Sequence, residues 1–108
     1  MVRDELLRLR ASAEAEAATR ARDLEALFTA SRDSNADDEH DPEGATIGFE
    51  RAQLIALLAA ARERIAEVDD ALRRVDAGTY GTCERCGQPI AEERLAARPF
   101  ARSCVACV

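Results

Sequence analysis

Three observations predict a mainly α chain, a long antiparallel helical hairpin followed by a small cysteine-bearing module. Apolar residues recur at helical spacing over two long segments, acidic and turn-forming residues crowd into one short stretch between them, and all four cysteines follow Gly78. A chain of 108 residues makes one domain at most and buries only about 60–70% of its unfolded surface. Aromatics are 4% and Trp is absent, so the apolar 47% is mostly Ala, Leu, Ile and Val, which favours helices with close seams over a broad globular centre. Every one of the 15 basic residues is Arg, and nothing physical explains that choice.

The first segment places Leu6, Leu9, Ala13, Ala17, Leu24, Leu27 and Phe28 at mostly three- and four-residue steps, with Glu and Arg on the other face. This predicts a helix from about Arg3 to about Arg32, where "SRDSNADD" breaks the period with cap and turn formers. The second segment is more regular. Leu54, Leu58, Ala61, Ile65, Val68, Leu72 and Val75 alternate steps of four and three, the heptad of a coiled-coil seam, while Arg62, Glu63, Glu67, Asp69, Arg73 and Arg74 fall off it. This helix is expected to start near Ile47 to Phe49, with Thr46 as N-cap and Glu50 favourable to the helix dipole, and to stop at Gly78. At 1.5 Å per residue, roughly 28 residues span about 42 Å. Neither helix can bury its seam alone, so residues 1–77 are expected to form an antiparallel coiled-coil hairpin with its tip at about 33–46. A dimer or bundle between chains would cover the same seams; a monomer is the expectation.

The connecting stretch, "DDEHDPEGATIGFE", holds most of the chain's charge imbalance. Residues 33–43 carry six acids and no Arg, whereas the rest of the chain is close to neutral within a net charge of −6. Such a chain is a poor holder of a phosphate backbone, because that affinity comes from Lys and Arg releasing counterions. Asp37, Asp38, Glu39, Asp41 and Glu43, at the end of a narrow hairpin, suit a metal ion or a basic groove that a globular surface cannot enter; Pro42 and Gly44 are expected to shape the turn. His40, the only histidine, reads as a solvated loop residue with at most a weak divalent-ion contact. The start, "MVRDELLRLR", has charges scattered among its apolar positions, so neither a signal peptide nor a membrane span is expected, and the compartment is taken as cytoplasmic.

After Gly78 the pattern changes to turn signals, with one short helical run expected from Ile90 to Ala97 and ended by Pro99. Cys83-x-x-Cys86 and Cys104-x-x-Cys107 lie seventeen residues apart, the spacing of a four-thiolate zinc site. Two thiolates three positions apart on a tight knuckle reach one ion from the same side, and Gly87 gives that knuckle its backbone freedom. Four protein ligands leave no open position, so one structural Zn2+ is expected, and residues 78–108 are expected to form a small four-cysteine zinc finger. Two disulfides or a redox pair are the competing explanations; a reducing compartment disfavours the first, and the second needs no matching pair. The metal supplies cohesion to a segment whose large apolar members are Tyr80, Ile90, Leu95, Phe100 and Val105, and its removal is expected to melt this end. No catalytic constellation is apparent: one histidine serves every candidate triad, the cysteines are claimed by the metal, and no Gly-rich phosphate loop exists.

The finger resembles the C4-type zinc finger of the DksA/TraR family of bacterial transcription factors. The likeness rests on Tyr80-Gly81-Thr82-Cys83, the Gly87-x-Pro89-Ile90 turn, Arg94-Leu95-x-Ala97-Arg98-Pro99 and the final Cys pair, and the hairpin looks like the family's coiled coil. The resemblance implies a factor that binds RNA polymerase rather than DNA, inserting its coiled coil through the secondary channel with the tip near the active centre. That family's tip carries Asp-x-x-Asp-x-Ala. Here "DPEGAT" keeps Asp41, but Gly44 stands at the second acid and Thr46 at the Ala; a shifted frame, Asp38-x-x-Asp41-x-Glu43, restores two acids without the Ala. Asp41, supported by Asp37, Asp38 and Glu43, is the implied probe, with Thr46 and Ile47 contacting or positioning the tip. Some members respond to ppGpp through basic residues on the second helix and beyond the last Cys pair; Ala60, Glu63 and Glu67 stand on this second helix, so no strong ppGpp site is expected. The alternative reading is a zinc-stapled coiled-coil adaptor or oligomerisation module without polymerase binding. A third is nucleic-acid binding through the finger, where Arg85, Arg94, Arg98 and Arg102 face three Glu.

Overall fold

A computed structural model describes residues 2–33 and 42–108 of the chain. The order is helix α1 (Val2–Asp33), helix α2 (Pro42–Ala77), a short helix α3 (Glu92–Ala97) and a 3-10 turn at Val105–Cys107. The fold is mainly α, a long antiparallel helical hairpin with a small C-terminal four-cysteine finger. Among the described residues no helix is long and apolar enough to cross a membrane.

Helix α1 contains neither Gly nor Pro and is rich in Ala, Leu, Glu and Arg, all strong helix formers. Asp4 and Glu5 in its first turn and Arg32 in its last complement the helix dipole. Helix α2 begins at Pro42, five residues before the earliest start expected from periodicity. Proline is at home at a first helical position, where its missing N–H leaves no bond unmade. Thr46 is therefore not an N-cap but lies in the second turn, and Pro42 and Gly44 belong to the helix rather than to a turn. The other end is as expected. Gly78 takes a left-handed backbone, φ 77, and the N–H groups of Gly78, Thr79 and Tyr80 return to the carbonyls of Val75 and Arg74 at 2.9–3.1 Å, satisfying the last turn.

The described chain divides into two compact units, Met1–Ala11 with Ile65–Val108, and Ser12–Arg64. In the first, Leu6, Val68 and Ala71 are fully buried, and Leu9, Leu72, Val75, Tyr80 and Phe100 pack against them. Arg10 Nε donates to Asp69 Oδ1 at 2.6 Å, and Arg3 pairs with Asp76. Residue numbers fall along α1 as they rise along α2, so the helices run antiparallel. Arg74 departs from the expected seam, since it is buried rather than solvated. The reason is local: Ala71 widens the buried face of α2 by one helical step, and the finger covers the guanidinium that follows it.

In the second unit Ala13, Leu54, Leu58 and Ala61 are buried, so half of the seam consists of alanines that let the helices approach closely. Glu16 accepts from Arg64 across the pair at 3.1 Å. Phe28, expected on the seam, is 39% exposed, with the Arg51 guanidinium 5.8 Å from its ring centre. A ring at the rim of a two-helix seam has no third element to cover its outer face.

Candidate metal centre and hairpin tip

The finger is assembled by backbone hydrogen bonds that leave its sulfurs on one side. Thr82 and Pro89 form an isolated antiparallel bridge, Cys83 N–H donates to Gln88 at 2.8 Å, and Ile90 N–H donates to Gly81 at 2.7 Å. Between these, Gly87 adopts φ 75 and its N–H returns to the Cys83 carbonyl at 2.9 Å. This is the knuckle foreseen from Cys83-x-x-Cys86-Gly87, and it needs the left-handed region that Gly enters without strain. Helix α3 starts at Glu92 rather than Ile90, because Ile90 is buried in the finger instead. The chain then returns through Arg98 and Ala101, Glu84 N–H donates to the Arg102 carbonyl at 2.9 Å, and the second knuckle closes where Cys107 N–H meets the Cys104 carbonyl at 3.0 Å.

The ligand atoms of Cys83, Cys86, Cys104 and Cys107 all lie within 4.8 Å of one another. All four are free thiols, not disulfides. A tetrahedron with Zn–S bonds of about 2.3 Å has S–S edges of about 3.8 Å, and Cys86 and Cys104 stand 3.7 Å apart. The residues thus fit one Zn2+ with no position left for a reacting group. Hydrogen bonding from the Cys104 backbone, then from that of Cys86, draws the Cys83 thiol down to about 6. Thiol contacts with Cys104, Cys86 and Cys83 push Cys107 up to about 12. Four thiols packed this closely resist ionising together unless a cation sits among them.

Residues 78–107 match the family model of the prokaryotic dksA/traR C4-type zinc finger. This segment is a DksA/TraR zinc finger. The DksA/TraR likeness extends to curated relatives, among them the RNA polymerase-binding transcription factor DksA of Caulobacter vibrioides, 55% identical over 40 residues, which are 37% of this chain and 28% of that protein. General stress protein 16O of Bacillus subtilis is 40% identical over 72 residues, which are 67% of this chain and 44% of that one. The chain therefore spans less than half the length of these relatives. The solved structure of transcription factor DksA2 from Pseudomonas aeruginosa superposes with a TM-score of 0.82 at 28% identity, covering 98% of this chain and 76% of that one.

Of the tip residues singled out in the sequence, Asp37, Asp38 and Asp41 lie outside the described residues. Glu43 and Gly44 belong to the first turn of α2, Thr46 is exposed and Ile47 half-buried. Sequence reasoning did not find the residues that join the finger to α2. Arg74 donates to the carbonyls of Ala101 and Phe100, Arg102 reaches Asp70 at 2.8 Å, and the Tyr80 hydroxyl donates to the Pro99 carbonyl at 3.0 Å. Burial raises the Tyr80 phenol above its ordinary pKa, against an opposing pull from Arg74. The one available signal was Ala71, three positions past Val68, which carries the small-residue face beyond the strict heptad. Beside this junction lies a hollow of about 500 Å³ lined by Glu67, Arg94, Arg98, Pro99, Phe100 and Arg102 among others.

Proposed function

We propose that this chain is a bacterial transcription regulator that binds RNA polymerase through its secondary channel, placing the hairpin tip near the active centre. The observation that carries this reading is the likeness to DksA2 over 98% of the chain, joined to a finger of the same family at its end. Asp41 is the probe toward the active centre, aided by Asp37, Asp38 and Glu43. Gly44 and Thr46 occupy the two positions where this chain departs from the family's tip signature, and Thr46 with Ile47 contacts or positions the tip. Cys83, Cys86, Cys104 and Cys107 hold one structural zinc, and the finger folded around it braces the base of the hairpin and touches the channel rim. The protein acts by occupying a channel in the cytoplasm as a monomer, not by catalysis or by reading DNA. The acidic tip repels a phosphate backbone and suits a cationic or metal-bearing cleft.

A ppGpp site is not part of the proposal. Glu67 stands in the wall of the hollow beside the finger, Arg94 is engaged by the Ser103 carbonyl at 2.9 Å and Arg102 by Asp70. Tight ppGpp binding to a polymerase complex that depends on this second helix would contradict this. Initiation at a ribosomal-type promoter, measured with bacterial RNA polymerase and repeated with Asp41→Ala, tests the main reading. Wild type is expected to change transcript yield and the variant to bind without that change; wild type without effect on either binding or transcription would end the proposal.

The adaptor reading keeps one specific support: Phe49 and Ile55 on α2 are 77% and 48% exposed, apolar surface that a partner would cover. It predicts a concentration-dependent dimer and indifference to changes at the tip, both readable by sedimentation.

A further inference from the structure

Arg74 is the one buried charged residue among those described, and its side-chain contacts beyond Asp70 join helix α2 to the finger. Its Nε donates to Asp70 Oδ2 at 3.2 Å, and its terminal nitrogens donate to the carbonyls of Ala101 and Phe100 at 3.1 and 3.4 Å. Its guanidinium stands 5.9 Å from the Tyr80 ring centre. Its own carbonyl accepts the N–H groups of Thr79 and Tyr80. Asp70, the anion that compensates it, also holds Arg102 at 2.8 Å. One side chain thereby grips the finger's entering strand of chain and its returning one. None of these contacts passes through a sulfur, and the apolar contacts of Tyr80 and Phe100 run to Leu6, Val68 and Ala71, away from the knuckles.

We propose that Arg74 is a positioning residue that sets the orientation of the finger on the hairpin, and that this docking does not depend on the metal. The four-cysteine end then has two parts that break separately, knuckles held by zinc and a junction held by one arginine. A guanidinium suits the task because its planar fork presents five donors at fixed angles, whereas a lysine ammonium cannot serve two carbonyls and a carboxylate in one plane. While the finger stays docked, removing the guanidinium leaves two covered carbonyls and the Asp70 carboxylate short of a donor, so the junction is sensitive to this one side chain. The inference restricts the expectation that metal loss melts the whole end, and it stands apart from the polymerase reading.

The test uses the full chain, with NMR contacts between the Phe100 ring and the methyls of Val68 and Ala71 reporting docking, and amide exchange at Cys83 and Gly87 reporting the knuckles. In wild type stripped of zinc by a chelator, exchange at Cys83 and Gly87 is expected to accelerate at least about tenfold while the Phe100 contacts persist. In zinc-loaded Arg74→Met the pattern reverses: one zinc per chain and slow knuckle exchange remain, and the Phe100 contacts are lost. Arg74→Lys should loosen them as well, since charge alone does not restore the fork, and Asp70→Asn reads the same junction should Arg74→Met fail to fold. Loss of the Phe100 contacts together with knuckle protection in the zinc-free wild type would overturn the proposal. So would undiminished contacts in both Arg74→Lys and Asp70→Asn.

Discussion

Arg73 and Arg74 are neighbours with opposite fates, and the difference is set by what faces each. The Arg73 side chain is 71% exposed and lies 3.6 Å from Asp70, a surface pair that holds little energy. Arg74 is desolvated and fully engaged, so Arg74→Met is expected to lower unfolding stability by about 2–3 kcal/mol and Arg73→Met by under about 0.5 kcal/mol, read by urea denaturation. Asp69 makes a second prediction. Its hydrogen bond from Arg10 outweighs partial burial and holds the carboxyl below the usual range. A carboxylate lowered in the folded state adds stability that is fully present above its unfolded pKa and is lost as pH falls through the folded one. Asp69→Asn should therefore flatten the acid limb of the stability curve below about pH 4 and leave its shape near neutrality unchanged; an unaltered acid limb would show the pair to be idle. Neither residue's role was legible in the sequence, where Asp69, Arg73 and Arg74 all read as charges off a heptad.

At the scale of elements, periodicity and cysteine spacing told most of the story. The heptad from Leu54 to Val75 runs through α2 as expected, with Leu54, Leu58, Ala61 and Val68 buried, and Gly78 ends the helix. What periodicity missed was the start, because α2 enters through Pro42 and Gly44, residues that read as turn formers when no seam contact marks the helix. The finger was legible because metal spacing is a covalent constraint, independent of the apolar pattern that misled the start of α3. Each of Cys83→Ser, Cys86→Ser, Cys104→Ser and Cys107→Ser is expected to reduce bound zinc from one per chain to a small fraction, read by metal analysis after dialysis. Since the ligands must shed protons to bind, wild type should also release zinc as pH falls; retention of a full equivalent by any single serine variant would contradict a four-thiolate site. Gly87→Ala places a side chain at φ 75 with open space around it, so it should lower stability by about 1–2 kcal/mol through backbone strain alone without displacing the metal. The division at residue 77/78 drawn from composition is a proposal about folding units, and loss of finger signals before helical ones on heating would support it.

For the whole molecule, the family likeness was legible in the finger and its place after a hairpin, and the proposed function rests on it, since composition alone excluded partners more readily than it named one. An acidic chain with balanced helices argues against a nucleic-acid phosphate backbone, yet a channel-binding role rests on the tip, whose sequence departs from the family signature at Gly44 and Thr46. The departure predicts that Gly44→Asp, which restores the second acid, strengthens the effect on transcription more than it strengthens binding, a difference that paired affinity and transcription measurements resolve. Binding itself comes first. The most direct measurement is competition for bacterial RNA polymerase between this chain, zinc-loaded and labelled away from the tip, and a factor known to occupy the secondary channel. The account predicts saturable binding that the competitor abolishes; binding that persists at saturating competitor, or none at all, contradicts it.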